Sequence, residues 1–272
     1  MSNQLVKILG IPYDGSSSFM SGPAEGPGKI REVLHGGSAN YWTELGQNLE
    51  PLLLSGNADL GDILLQSNQP ADVIPAIQSA VEEQLTQGNR LLSLGGDHFV
   101  TYPIIKAYAK KYPDLHILQI DAHGDLYDQF EGNPYSHACP FARIMERKLA
   151  ASLTQVGIRT MNDHQWEQAR RFGVQVIEMK DFHLDFIPQL EGPLYISLDL
   201  DGFDPAYAPG VSHHEPGGFT ARQVLQILHA IKVPVVGADI VELNPRRDPV
   251  GITAMLAAKM FKELYGLLSS NQ

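Results

Sequence analysis

Short apolar runs recur along the chain at 6–11 (VKILGI), 52–56 (LLLSG), 90–96 (RLLSLGG), 116–122 (HILQIDA), 153–159 (LTQVGIR), 174–179 (VQVIEM), 194–201 (LYISLDLD) and 233–240 (VPVVGADI). Runs this short, rich in Val, Ile and Leu, predict strands covered on both faces. Between most of them lie segments with helical patterning, around 27–35, 70–87, 100–111, 138–150, 163–172, 220–231 and 252–268. Thr220 before ARQVLQILHAI and Asn162–Asp163 before HQWEQARRF are helix-start residues. Strands alternating with helices require right-handed crossovers, so the expected fold is α/β with a mainly parallel sheet of roughly eight strands. No repeat or linker divides the chain, and residues 1–272 are expected to form a single domain. Three stretches rich in Gly, Pro, Ser and His, at 12–28, 126–137 and 202–219, predict long loops. Long loops in a compact domain are usually functional.

Several strands end in chemistry. HILQIDAHGD runs from apolar residues into Asp121, His123 and Asp125, spaced by two. A strand alternates faces with that period, so the three are expected to point the same way. LYISLDLD repeats the pattern with Asp199 and Asp201, and RLLSLGG is followed by Asp97 and His98. Ligands of open α/β sheets bind at the carboxyl ends of strands, where all of these groups would lie. Four aspartates packed together raise one another's pKa unless positive charge is supplied. Two divalent cations would balance them, and Asp with His suits manganese or other first-row metals. The spacing lets Asp121 and Asp199 bridge two metals, one taking His98 and Asp125, the other His123 and Asp201. Such a pair would hold a hydroxide nucleophile at neutral pH.

Composition narrows the partners. Hydrophobic residues make up 43% and charged residues 19%, enough for an ordinary core. The formal net charge of −11 argues against nucleic acid and is compatible with a cationic substrate. Cys139 is the only cysteine, so no intrachain disulfide can form. Neither a signal peptide nor a membrane-length apolar run is evident, and a soluble cytoplasmic protein is expected.

The segments GGDHFVT, DAHGDLYD and SLDLDGFDPAYAPG resemble the signature segments of the ureohydrolases, the family of arginase, agmatinase, guanidinobutyrase, proclavaminate amidinohydrolase and formimidoylglutamase. GIPYDGSSSFMSGPAEGPGKIRE, EPGG (215–218) and DIVELNP (239–245) extend the resemblance over essentially the whole chain. It implies a three-layer α/β/α sandwich, a centre of two Mn²⁺ and hydrolysis of a guanidino group to urea. The implied ligands are His98, Asp121, His123, Asp125, Asp199 and Asp201. Ni²⁺, Co²⁺ or Fe²⁺ would also suit such donors. The chain departs from the family at Gly124, where Thr is common; an effect on packing rather than on metal is expected. A trimer or hexamer is implied as well.

The remaining candidates surround this set. Glu242 is expected to pair with a guanidinium. His137 is expected to move protons or orient substrate, and Asp125 to accept the nucleophile's proton. Glu215, His213 and His214 are expected at the substrate mouth, with Asp97 and Asp204 orienting ligands. Cys139 is expected to be a small packed residue rather than a nucleophile. Asp14 is expected to shape a loop near the site, and Arg246–Arg247 to be a solvated or subunit-contact patch. The loop LYDQFEGNPYSHACPF has no Arg or Lys for a substrate carboxylate, and Asp128 and Glu131 tolerate a cationic tail. Agmatine is therefore the first expected substrate. 4-Guanidinobutyrate, arginine or formimidoylglutamate follow. A single-zinc deacetylase-like hydrolase and a metal-stabilised non-catalytic scaffold are the readings outside the class.

Overall fold

A computed structural model describes residues 5–270. Its strands are β1 (Val6–Gly10), β2 (Asp59–Asp62), β3 (Arg90–Leu94), β4 (His116–Ile120), β5 (Ser152–Ile158), β6 (Gln175–Glu178), β7 (Leu194–Asp199) and β8 (Val235–Val241). They form one sheet in the order β2-β1-β3-β8-β7-β4-β5-β6, and every pairing is parallel. The helices are α1 (Gly26–His35), α2 (Glu50–Leu53), α3 (Pro70–Thr86), α4 (Thr101–Lys111), α5 (Pro140–Glu146), α6 (Asp163–Phe172), α7 (Ala221–Ala230) and α8 (Ile252–Ser270). Side chains of α1, α7 and α8 pack with one face of the sheet, and those of α3, α4 and α5 with the other. In β4, Leu118 and Ile120 join the first core and Ile117 the second. The strand buries both of its faces, which is why its run shows no polar alternation. The result is the three-layer α/β/α sandwich expected.

The helix starts follow their chemistry. Thr220 and Gln223 form a reciprocal capping box at α7, and the Asn162 side chain accepts from the Gln165 amide at α6. Among the described residues no helix is long and apolar enough to cross a membrane.

Three boundaries correct the sequence expectations. The run at 52–56 is not a strand. Pro51 opens the short helix α2, which buries Leu53 and leaves Leu52 and Leu54 exposed. The edge strand is instead DLGD at Asp59–Asp62, a polar segment that Arg31 holds by ion pairs to Asp59 and Asp62. An apolar-run criterion misses it because an edge strand needs no apolar faces. The helix expected at 138–150 is confined to Pro140–Glu146, and Lys148 takes a left-handed turn at φ 54° beyond it. Finally, β4 ends at Ile120, so Asp121, His123 and Asp125 lie beyond the strand and period-two geometry does not align them. Asp125 adopts φ 49°.

The sheet's centre depends on close packing of strands β8, β7 and β4. Ile196 of β7 is fully buried. Ile196→Ala should cost about 2–5 kcal/mol, the range for truncating a buried aliphatic side chain. Urea unfolding would read this as a lower midpoint with an unchanged slope.

Candidate active site

The chain leaves β3 on one side of the sheet's middle and resumes at β4 on the other, with β8 and β7 filling the gap. The carboxyl ends of these four strands are adjacent, and each delivers polar groups. After β3, a Cβ at Gly96 would lie 1.9 Å from the Tyr13 carbonyl oxygen, which accepts the Asp97 amide at 2.8 Å. Glycine allows that approach, and the chain turns directly into His98. After β4, Gln155 Nε2 donates to Gln119 Oε1 and to the Gly124 carbonyl, both at 2.6 Å. Gln119 Nε2 in turn donates to Asp121 Oδ2 at 2.7 Å and to the His123 carbonyl at 3.1 Å. Two glutamines inside the sheet thus fix the bend that the strand itself does not shape.

Two groups of donors result. His98 Nδ1 lies 3.1 Å from Asp121 Oδ2, 3.1 Å from Asp125 Oδ2 and 3.0 Å from Asp199 Oδ2. His123 Nδ1 lies 3.0 Å from Asp201 Oδ2 and 3.6 Å from Asp121 Oδ1. Asp121 gives one oxygen to each group. Asp199 Oδ1 accepts the Asp201 amide at 2.7 Å, which locks the second acidic pair. All four aspartates are buried. Burial, then the charges of Asp201 and Asp121, raise the Asp199 pKa well above its ordinary value. Burial and the Asp121 charge push Asp125 up to about 6. These carboxylates stay ionised together only beside positive charge.

The hydrogen bonds around His98 indicate what kind of charge fits. Buried Asp239 accepts the hydroxyls of Ser197 at 2.7 Å, Thr101 at 2.9 Å and Tyr195 at 2.9 Å. With its proton committed to Asp239, Ser197 Oγ accepts from His98 Nε2 at 3.0 Å. His98 Nδ1 then presents a lone pair among three carboxylate oxygens, and this buried atom has no hydrogen-bond partner. Acceptors that converge on one point suit a cation. The donors are nitrogen and oxygen only, as hard or borderline divalent metals prefer. His98, Asp121 and Asp199 form one group suited to a metal ion, and Asp121, His123 and Asp201 a second.

Glu242 follows β8 at φ 65°. Its Oε1 accepts the His98 amide at 2.9 Å and His137 Nδ1 at 2.8 Å. His137 Nε2 lies 2.8 Å from Ser18 Oγ. Burial alone would lower the His137 pKa, but the charge and hydrogen bond of Glu242 outweigh it and push it up to about 9. His137 is therefore a cation at neutral pH. A cavity of about 230 Å³ opens above both groups, walled by Ser18, Tyr127, Phe130, His137, His213 and Glu215. The His213 ring centroid lies 5.2 Å from that of His137, and its buried Nε2 is without a partner.

Other candidates stand apart from this cavity. His214 is exposed and bonds the Pro209 carbonyl at 2.7 Å. Asp204 ties its own loop, accepting the amides of Ala206, Gly217 and Gly218. Asp97 accepts the Ser16 amide at 2.9 Å, and Asp14 accepts the Gly22 amide at 2.6 Å. Both organise the loop that brings Ser18 to His137. Asp128 pairs with His164 and Glu131 is exposed, so neither reaches the cavity wall. Arg246 pairs with Glu25 and Arg247 is exposed. Burial pushes the Cys139 thiol up to about 12, which suits packing and not nucleophilic attack. At Gly124, a Cβ would meet Gln165 Oε1 at 3.0 Å and Met161 Sδ at 3.1 Å, so a threonine there would crowd both.

Sequence reasoning missed Ser18, Tyr127, Phe130, Thr160 and Gln165 of the lining, and the supporting pair Ser197 and Asp239. For the pair there was a signal: a polar residue inside each of two apolar runs, LYISLD and VVGADIV. Ser18, Tyr127, Phe130 and Thr160 sit in irregular segments and carry no periodic mark, and Gln165 is a polar residue in the first turn of α6 that nothing in its pattern sets apart.

The His137–Glu242 pair has a pH signature. A folded-state pKa of about 9 against an ordinary 6.5 means that His137 contributes stability in full below 6.5, and loses it as pH rises through about 9. Glu242→Gln should lower stability at pH 7 and flatten the decline between pH 6.5 and 9. Denaturant midpoints measured across that interval, with the His137 ring resonance followed by NMR, would check both.

The Arginase family model matches residues 4–266. Arginase 1, mitochondrial, of Arabidopsis thaliana is 46% identical over 96% of this chain and 80% of its own length. An agmatinase of Bacillus anthracis is 36% identical over 95% of this chain and 90% of its own. Among solved structures, arginase from Medicago truncatula superposes with a TM-score of 0.90 at 38% identity, covering 98% of this chain and 88% of that one. Proclavaminate amidinohydrolase from Streptomyces clavuligerus gives 0.90 at 31% identity, covering 99% and 93%.

Proposed function

The chain belongs to the arginase family of metal-dependent amidinohydrolases, and from that premise we propose that it hydrolyses a small guanidino compound with a cationic tail to urea and an amine. One observation carries this reading: two Asp/His groups, buried but for the partly exposed His123, share Asp121 and face the same cavity as a Glu242–His137 ion pair. In this reading His98, Asp121, Asp125 and Asp199 hold one divalent metal, and Asp121, His123, Asp199 and Asp201 the other. When bound, the two metals supply Lewis acidity and a water ionisable at neutral pH. Manganese is the first choice, with nickel, cobalt and iron as alternatives.

The chain's own residues do the rest. Glu242 uses Oε1 for His98 and His137, which leaves Oε2 for the guanidinium through a charge-assisted hydrogen bond. That contact holds the guanidinium carbon against the metal ligands. Asp125, on the cavity wall, accepts a proton from the attacking water. Cationic His137 passes a proton to the departing nitrogen through the Ser18 hydroxyl, which lies 2.8 Å from its Nε2 on the cavity wall, the hydroxyl taking the ring proton as it gives up its own. Tyr127 and Phe130, packed edge to face at 5.3 Å, offer an apolar wall for the tail's methylenes. Glu215 and His213 flank the mouth, where Glu215 meets an ammonium.

No Lys or Arg lines the cavity among the described residues, which favours agmatine, whose tail ends in an amine. L-Arginine is the second reading. It shares the ammonium, and the relatives of 42–46% identity are named arginases. Urea release by the manganese-loaded protein from agmatine, arginine and 4-guanidinobutyrate tests the choice. Agmatine should be turned over fastest, and Asp201→Ala should lower the rate at least a hundredfold. Faster release from arginine would select the second reading. A preference for 4-guanidinobutyrate would sink the cationic-tail assignment. No urea with two metals bound would point to a formimidoyl substrate or a scaffold, and a single bound zinc to a deacetylase-like hydrolase.

A further inference from the structure

Arg159 lies just past β5, half-buried beneath the two loops that frame the cavity. Its guanidinium makes no ion pair among the described residues. Its hydrogen bonds end on backbone carbonyls instead. Nη2 donates to Asp201 at 2.8 Å, Phe203 at 3.3 Å and Glu215 at 2.7 Å. Nη1 donates to Gly157 at 3.1 Å and Gly202 at 3.2 Å, and Nε to Glu215 at 3.0 Å. Its own amide donates to the Ala122 carbonyl at 2.9 Å, between Asp121 and His123. The Ala122 amide in turn lies 3.3 Å from Asp201 Oδ1. One residue thus touches the backbone at or beside every member of the Asp121–His123–Asp201 group, and the substrate loop at Glu215. Gly218 is shaped to the contact: a Cβ there would lie 2.6 Å from Arg159 Nη2.

We infer that Arg159 is a positioning residue that couples the Asp121–His123–Asp201 metal group to the substrate loop carrying Glu215. The inference rests on the metal-dependent reading above. A positive charge beside a cation site is unfavourable by Coulomb's law alone. Its presence here is explained by geometry: a guanidinium has five N–H donors in a fixed fork, and an ammonium has three on a point. The converging carbonyls of residues 157, 201, 202, 203 and 215 need the fork. The His98–Asp121–Asp199 group has no such contact with the Arg159 side chain, so the two metals should respond differently to its loss.

Manganese titration of wild type, Arg159→Lys and Arg159→Gln, read by bound-metal stoichiometry, tests this. Near-UV circular dichroism and KM for the guanidino substrate complete the measurement. Both variants should keep one tight metal, bind the second about tenfold or more weakly and raise KM, with the dichroism retained. The Gln variant sets positioning against electrostatics, because removing the charge alone would tighten the second metal. Tighter or unchanged binding in Arg159→Gln, or a wild-type second metal in Arg159→Lys, overturns the inference. So does equal loss of both metals with loss of the dichroism, which would make Arg159 a general support of the fold. Wild type that binds fewer than two metals would instead overturn the dinuclear reading itself.

Discussion

Four carboxylates buried together at the edge of an apolar sheet are the constraint around which this protein is arranged. They are largely shielded from bulk water, and they repel one another. The surrounding residues resolve this in layers. Backbone amides of His123 and Asp201 hold one oxygen each of Asp121 and Asp199. Two imidazole nitrogens face the others. Behind the imidazole of His98, the Ser197–Asp239 pair sets which nitrogen carries the proton. Without that support His98 could turn an N–H toward the carboxylates and occupy the point a metal needs.

The sheet order serves the same end. Because β8 and β7 lie between β3 and β4, four loops from distant parts of the sequence meet at one place. Each contributes a different function: His98 from the first, Glu242 and Asp199–Asp201 from the middle pair, and Asp121–His123–Asp125 from the last. The loop at Asp14–Ser18 closes over them, held by Asp97. Asp97 is therefore an acid that holds loop structure, although it adjoins His98 in sequence.

The clustered acids and histidines were legible because strong chemical types gather where apolar runs stop. The parallel sheet was legible for the same reason, since buried strands are nearly continuous in Val, Ile and Leu. The polar edge strand DLGD was not, since ion pairs to Arg31 and not apolar packing hold it. Nor was Arg159, because an arginine that serves backbone carbonyls leaves no patterned partner in the sequence. The alternation in DAHGD pointed to residues that do come together, but not for the reason it suggested. A glutamine-braced bend outside the strand aligns them, and only coordinates reveal a bend of that kind.

Two of the acids assigned to the chemistry, Asp125 and Glu242, stand in the left-handed region of backbone space, where a side chain with a Cβ is strained by about 1–3 kcal/mol. Glycine would relieve that strain at either position. Selection for thermal robustness alone would thus drift toward sequences lacking the two carboxylates to which the proposed reaction assigns proton acceptance and substrate binding. In the proposed reading, an acid at both positions trades folding stability for reactivity, and the trade is located in two backbone torsions.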